Sequence, residues 1–268
     1  MPIIGIDIEK CTNCLLCIKE CPVSNLIMNE EEGRVSFSSS RPCITCGHCI
    51  SVCPQNAIIY KGLKDEILSF EGIQDPNISI SYETMYQFMR AKRSIRQYKK
   101  DKIPKEVLEK ILDSMRYAPT GSNIRQMKCF IISDTEKIKT LSESIINAWE
   151  TTMPGEYSEV LKNKRKMGID PIFYKAPHVI ILYSNRSSPS HYMNSAIAMT
   201  YGMLCAQTLG LGTCWIGLAF IIFTSNQDIR KEIARIPGEV LGVMTIGYPS
   251  AKYYRAPPRP PLRTKGLS

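Results

Sequence analysis

The chain has 268 residues, 44% of them apolar and 22% charged, and its 34 Lys and Arg against 25 Asp and Glu give a formal charge of +9. That composition excludes a disordered chain, and the length exceeds what one small module needs, so two cores are expected. The opening MPIIGIDIEK lacks a cationic start followed by a long apolar run, so no secretory signal and a cytoplasmic location are expected. A stretch free of Asp, Glu, Lys and Arg runs from Ser187 to Gln227, long enough to raise a membrane span. It is broken by Ser188-Pro189-Ser190, Asn194, Gln207 and Gly210-Leu211-Gly212, so a buried helix followed by a buried strand is predicted and no membrane partner. The basic runs, Lys99-Lys100 and 162–166, are short and carry no aromatic interleaving. They read as solvated faces rather than a nucleic-acid surface, with a minority of the arginines free for a phosphate.

In chain order, residues 3–8 predict a short strand with Val35 and Phe37 as its counterpart, and Ala57–Tyr60 close the first module. Between them lie eight of the eleven cysteines in two runs of identical spacing: Cys11, Cys14, Cys17, Cys21 and Pro22 recur 32 residues later as Cys43, Cys46, Cys49, Cys53 and Pro54. The same offset carries Leu26-Ile27 onto Ile58-Ile59, which marks an internal duplication. Each run is C-x2-C-x2-C-x3-C-P, the two-cluster bacterial ferredoxin pattern, in which three thiolates of one half and the fourth of the other hold each 4Fe-4S cube. The expected ligand sets are therefore Cys11, Cys14, Cys17 and Cys53 for one cluster, and Cys43, Cys46, Cys49 and Cys21 for the other. A disulfide framework belongs to short secreted chains, and zinc takes two C-x2-C pairs rather than quartets, so both fit badly. His48 reads as a solvent-side loop residue.

Residues 63–84 read as a linker around an Asp75-Pro76-Asn77 turn signal. Tyr82, Met85, Tyr86 and Met89 share a helical face that leads into Lys92-Arg93-Ser94-Ile95-Arg96. A second helix starts near Pro104 with the stripe Ile103, Val107, Leu108, Ile111, Leu112 and Met115, and stops before Pro119. The turn-rich loop Ala118 to Gln126 feeds a strand at 129–132, and Asp134 is placed to cap a helix over 135–149. Residues 150–175 are mixed and basic and read as a mobile flap. A buried strand follows at 178–183, with His178 a structural residue at its edge. Then come an apolar helix at 192–209 buried on most sides, strands at 213–218 and 240–246, a polar helix near 226–235, and an extended proline-rich arm around 256–261. Cys129, Cys205 and Cys214 fall in apolar runs and read as inert core thiols.

Four pieces of residues 85–268 resemble the FMN-dependent nitroreductase family: Arg93-Ser94-Ile95-Arg96, Ala118-Pro119-Thr120-Gly121-Ser122-Asn123, the run from Leu209 to Gly217, and Ile246-Gly247-Tyr248-Pro249 with its basic proline-rich tail. With the cysteine runs in front, the whole chain resembles ferredoxin–nitroreductase fusions. The resemblance implies an α+β architecture in two parts, a bacterial ferredoxin-like domain at 1–62 and a nitroreductase-like FMN domain at 85–268. It implies an FMN phosphate held by Arg93, Ser94 and Arg96, equipment that suits a dianion, with Arg259 completing the clamp and Arg255 the second choice. Pro119, Thr120, Gly121, Ser122 and Asn123 would stand beside the flavin, commonly from a partner subunit in a homodimer. Gln126 stands there too, although the family's usual Gln-Pro pair is Gln-Met here. Trp215, Ile216, Gly217 and Leu218 would approach the ring, Gly217 permitting close contact.

The activity implied is an oxidoreductase that takes electrons through two 4Fe-4S clusters to FMN and on to a small organic acceptor: a nitro compound, a quinone or an activated double bond. No catalytic acid is assigned, since no Asp, Glu or His near these motifs demands that role. NAD(P)H is admitted as a transient donor although no G-x-G-x-x-G follows a strand. Ferredoxin or flavodoxin is admitted as a donor partner. The alternative is an electron-transfer adaptor that relays electrons to a protein.

Overall fold

The computed structural model describes residues 3–38, 40–62, 67–68 and 79–266. The chain divides into two compact units, Met1–Pro76 with Thr120–Ile124, and Asn77–Pro119 with Arg125–Ser268. Most of the expected linker, 63–66 and 69–78, lies outside the described residues.

In the first unit, β1 (Ile3–Ile6) pairs antiparallel with β4 (Ile58–Tyr60), and β2 (Leu26–Asn29) with β3 (Arg34–Phe37). Each cysteine run winds into a five-residue helix, α1 (Leu16–Glu20) and α2 (His48–Val52). The duplication seen in the sequence is a duplication of backbone. The residues before the helices, Leu15 and Gly47, are both left-handed (φ 62° and 76°). Those after, Cys21 and Cys53, are extended at φ −78° and −81° with ψ 106° and 110°. Turning out of the helix at once aims the fourth cysteine of each run away from its own first three. The core is small: Ile3, Leu26, Val35 and Ile58 bury themselves against Cys17 and Cys49.

The second unit is built on an antiparallel sheet of order β5-β6-β8-β7, with β5 at Lys128–Ile132, β6 at His178–Ser184, β7 at Gly212–Trp215 and β8 at Glu239–Gly247. Its described helices are α3 (Tyr82–Ala91), α4 (Lys105–Arg116), α5 (Thr135–Thr152), α6 (Glu156–Lys166), α7 (His191–Thr208) and α8 (Gly217–Ser225). Ser81 caps α3 by accepting from Thr84 N–H, and Asp134 caps α5 by accepting from Lys137 N–H. The sheet is covered on both faces, which is why β6 reads as an unbroken apolar run. Val179 and Ile181 join the core of α5 and α8, while Ile180 and Leu182 join that of α4 and α7.

Several expectations change. The segment read as a flap is helical over most of 150–166, the end of α5 followed by α6, and turns over 167–175; Gly155 turns the chain (φ 147°) and Leu161 buries on the helix that follows. The strand expected at 213–218 stops at Trp215, and Gly217 opens α8, whose run GLAFIIFTS is apolar on every side and hides its period. The helix expected near 226–235 is a short π-helical turn, Ile229–Ile233. Cys129 is exposed on edge strand β5 rather than buried, and Cys205 is half-buried; Cys214 is a core thiol.

Candidate cofactor sites

In the first unit, one narrow cavity is lined by Cys11, Cys14, Cys17 and Cys53, and another by Cys21, Cys43, Cys46 and Cys49. The two quartets cross between the halves as the extended geometry at Cys21 and Cys53 requires. Among the described residues no three His, Cys, Asp or Glu side chains converge where a single ion could sit. Four thiols line each cavity, a number that suits a 4Fe-4S cube. Backbone donors face the sulfurs: Asn25 N–H reaches Cys21 Sγ at 3.2 Å, its counterpart Ala57 N–H reaches Cys53 Sγ at 3.2 Å, and Thr45 N–H reaches Cys43 Sγ at 3.4 Å. Burial pushes the Cys17 thiol up, and burial followed by repulsion from Cys46 and its neighbours pushes Cys49 up to about 11. A cationic centre in each set would favour ionisation of these two thiols. His48 sits at the rim, its Nδ1 4.0 Å from Glu20 at the surface.

In the second unit the four-residue run after α3 is fixed against the sheet. Ser94 bridges to Thr213 and Ile95 N–H donates to Thr213 O at 3.0 Å. The Tyr98 hydroxyl meets Ile95 O and Thr245 Oγ1, each at 2.8 Å, and burial raises its pKa. Ile95 can seat there because residue 212 is glycine: a Cβ at 212 would lie 2.5 Å from Ile95 Cγ1. The result is a cavity of about 460 Å³ around which Lys92, Arg93, Ser94, Arg96, Trp215 and Arg259 are gathered, with Met203 and Leu204 as its apolar side.

Four cationic side chains, Lys92, Arg93, Arg96 and Arg259, line this one cavity. Arg93 gives its Nη1 and Nη2 to the carbonyls of Lys92 and Arg90, and its buried Nε has no partner in the structure. Arg96 stacks over the Tyr174 ring at 5.8 Å. Thr213 Oγ1 is also buried without a partner. Lys92, which the motif reading left out, donates to Arg93 O at 2.8 Å, and burial lowers its pKa; its only signal in the sequence is adjacency to Arg93. Arg259 reaches the cavity from the extended tail, whereas Arg255 does not line it.

The turn segment splits. Trp215 lines the cavity, Ile216 is buried with its N–H spent on Val243 O at 2.8 Å, and Gly217 and Leu218 open α8, where first-turn N–H groups have no helical acceptor. A Cβ at Gly217 would meet no protein atom within 4 Å, so packing within the chain does not demand glycine there. Pro119, Thr120, Gly121, Ser122, Asn123 and Gln126 do not line this cavity. Thr120–Ile124 belongs to the first unit, where Asn123 Nδ2 donates to Ile44 O at 2.8 Å and Thr45 O at 2.9 Å.

A family model described as the nitroreductase family matches residues 89–248, and one described as a 4Fe-4S dicluster domain matches residues 3–54. The chain belongs to the nitroreductase family. It is a nitroreductase-type flavin oxidoreductase that carries a ferredoxin-like iron–sulfur domain at its amino end. An iodotyrosine deiodinase of Thermotoga neapolitana is 28% identical over 173 residues, 62% of this chain and 88% of that protein. A nitroreductase with bound FMN from Bacteroides fragilis superposes with a TM-score of 0.56 at 23% identity, covering 67% of this chain and 96% of that one, a likeness of fold. The ferredoxin-type protein NapH of Haemophilus influenzae is 38% identical over 53 residues, 19% of this chain and 18% of its own length. Among the described residues no helix is long and apolar enough to cross a membrane.

Proposed function

We propose that the chain passes electrons from two 4Fe-4S clusters, held by the crossed cysteine quartets, to an FMN held in the cavity beside Arg93 and Arg96, and on to a small organic acceptor. The observation that carries this reading is the gathering of Lys92, Arg93, Arg96 and Arg259 at one cavity, with a buried Arg93 Nε left over for an acceptor atom. A phosphate dianion would satisfy that donor, and the FMN bound to the B. fragilis relative supports the flavin. The bound flavin would supply the exchange between single-electron and paired-electron steps that the iron centres cannot make.

The chain's own residues supply position and dryness. Arg96 is held by Tyr174, Ser94 by the bridge to Thr213, and the apolar wall of Met203 and Leu204 keeps water from one side. Gly217 and Leu218 offer helix-start N–H groups where negative charge would build on a ring. Two helices carry uncovered apolar faces: Tyr82, Met85, Tyr86 and Met89 on α3, and Tyr192, Met193, Ile197 and Tyr201 on α7. We assign them to a homodimer interface, in which the Pro119–Asn123 loop and Gln126 of the second copy stand beside the flavin. The acceptor is a nitro compound, quinone or activated alkene, and NAD(P)H, ferredoxin or flavodoxin is the reductant.

Anaerobic purification with counts of iron, sulfide and flavin tests the assignment. Eight irons and one FMN per chain are expected, and Arg96→Ala is expected to weaken FMN binding about tenfold to a hundredfold, the worth of one charge-assisted contact, with iron unchanged. An FMN Kd in that variant equal to that of the wild type would place the phosphate elsewhere.

A further inference from the structure

The two halves of the cysteine ladder share one backbone, so any difference between their metal centres has to come from side chains and from what lies against them. The residue just before the second cysteine of each run is Asn13 in one half and Thr45 in the other, left-handed in both (φ 53° and 55°). Around these two residues the halves present opposite dipoles to a ligand sulfur. In the second half the Thr45 N–H points at Cys43 Sγ, 3.4 Å away. In the first it is the Asn13 side-chain oxygen that faces Cys11 Sγ, at 3.7 Å. The orientation of that amide is pinned on both sides: Nδ2 donates to Gly33 O at 3.2 Å and Oδ1 accepts from Val35 N–H at 3.2 Å. The Cys11 thiol can donate a hydrogen to the oxygen only while it has one. As an iron ligand the sulfur is a thiolate, and the oxygen then meets negative charge.

A second contact strengthens the contrast. The Thr45 N–H belongs to the same peptide group as the Ile44 carbonyl, and that carbonyl accepts from Asn123 Nδ2 at 2.8 Å. A donor on the oxygen of a peptide polarises it and makes its N–H a better donor. Asn123 lies outside both cysteine runs, and nothing in the duplication supplies its equivalent to the first half.

Reduction adds one negative charge to a cube. N–H groups aimed at its sulfurs stabilise that charge and raise the potential, whereas an oxygen facing a sulfur does the reverse. We infer that the two clusters are unequal: the one held by Cys43, Cys46, Cys49 and Cys21 is reduced first, and the difference is set by Asn123 and Thr45 on one side and Asn13 on the other. These are positioning residues, since none ligates iron. An electron entering at the Cys11 set would run downhill to the Cys43 set. This rests on the two-cluster reading above.

The test is a potentiometric titration of the cluster EPR signals in the full-length, anaerobically purified protein, after an iron count. Two separate reduction waves are expected in the wild type. Asn13→Ser, which withdraws the oxygen, is expected to move only the lower wave upward. Asn123→Ala is expected to move only the upper wave downward, so that each variant narrows the gap from its own end. A single wave in the wild type, or two waves that neither variant moves, overturns the inference. Fewer than eight irons per wild-type chain would instead remove the two-cluster reading itself. If Asn13→Ser loses its iron because the bridge to Gly33 and Val35 holds the loop, Asn123→Ala decides alone, and an unmoved upper wave counts against the proposal.

Discussion

His178 is 3% exposed, with Nε2 accepting from Ile103 N–H at 2.9 Å and Nδ1 2.7 Å from Ser133 Oγ. Burial, with the nearby Lys102 ammonium adding to it, lowers its pKa from the ordinary 6.5 to about 4. The neutral ring is the one that fits, so its contribution is complete above pH 6.5. It is lost as pH falls through about 4, because the unfolded chain takes up a proton that the folded one refuses. The loss is on the order of 3 kcal/mol. A denaturant series from pH 7 to 4 should show this decline, and His178→Asn should flatten it while lowering stability at pH 7. At Gly212 the prediction is steric: alanine must displace Ile95, costing about 1–3 kcal/mol and loosening the neighbouring Ser94, readable as a lower Tm together with weaker flavin binding. Arg93 and Arg96 stand out in the sequence through the family resemblance, since four such residues alone read as a solvated helix end. Lys92 does not, since a lysine at a helix end is ordinarily solvated and only tertiary packing tucks it under Arg93.

Among the elements, those with one polar side declared themselves. The stripe of α4 and the capped start of α5 were legible because period and cap agree. Where the surroundings are apolar all round, periodicity vanishes: the sequence predicts a strand over 213–218 and no element over 219–225, so α8 goes unseen there. On α7 the apolar circumference predicts burial on most sides, and the structure differs. Its inner face packs on the sheet through Ala198, Met199 and Ala206, yet Tyr192, Met193, Ile197 and Tyr201 stay exposed. A second surface is what such residues call for. Tyr201→Glu should therefore convert a dimer to monomers in light scattering, with circular dichroism unchanged because the side chain is already 41% exposed. An unaltered mass would point the interface elsewhere.

At the scale of the molecule, the division into two units predicts two kinds of stability. Among the described residues, the first unit has six buried apolar side chains in its core cluster, two of them the cluster-lining Cys17 and Cys49. So small a core is marginal without its metal. Chelation of iron should abolish a thermal transition belonging to that unit while the transition of the second, with its two-faced sheet, persists; a single unchanged melt would contradict this. The cysteine spacing disclosed the first unit almost completely, because ligand geometry dictates the spacing. The place of Thr120–Ile124 was invisible to sequence, since the pairing of Asn123 with Ile44 joins residues far apart along the chain and follows no period or motif.

The segment from Arg93 to Lys99, whose first residues line the cavity, is stitched to the sheet and to the turn after it. Beyond the hooks at Ile95 and Tyr98, Lys99 N–H donates to Tyr248 O at 2.8 Å and Ser250 N–H to Gln97 O at 3.0 Å. Each of these bonds joins two protein backbone groups and needs no flavin atom. The amides of Ile95 and Lys99 should consequently exchange with deuterium slowly even in flavin-free protein, at rates that added FMN barely changes. Capture of the cofactor would then carry little ordering entropy, and its speed would be set by encounter rather than by loop closure.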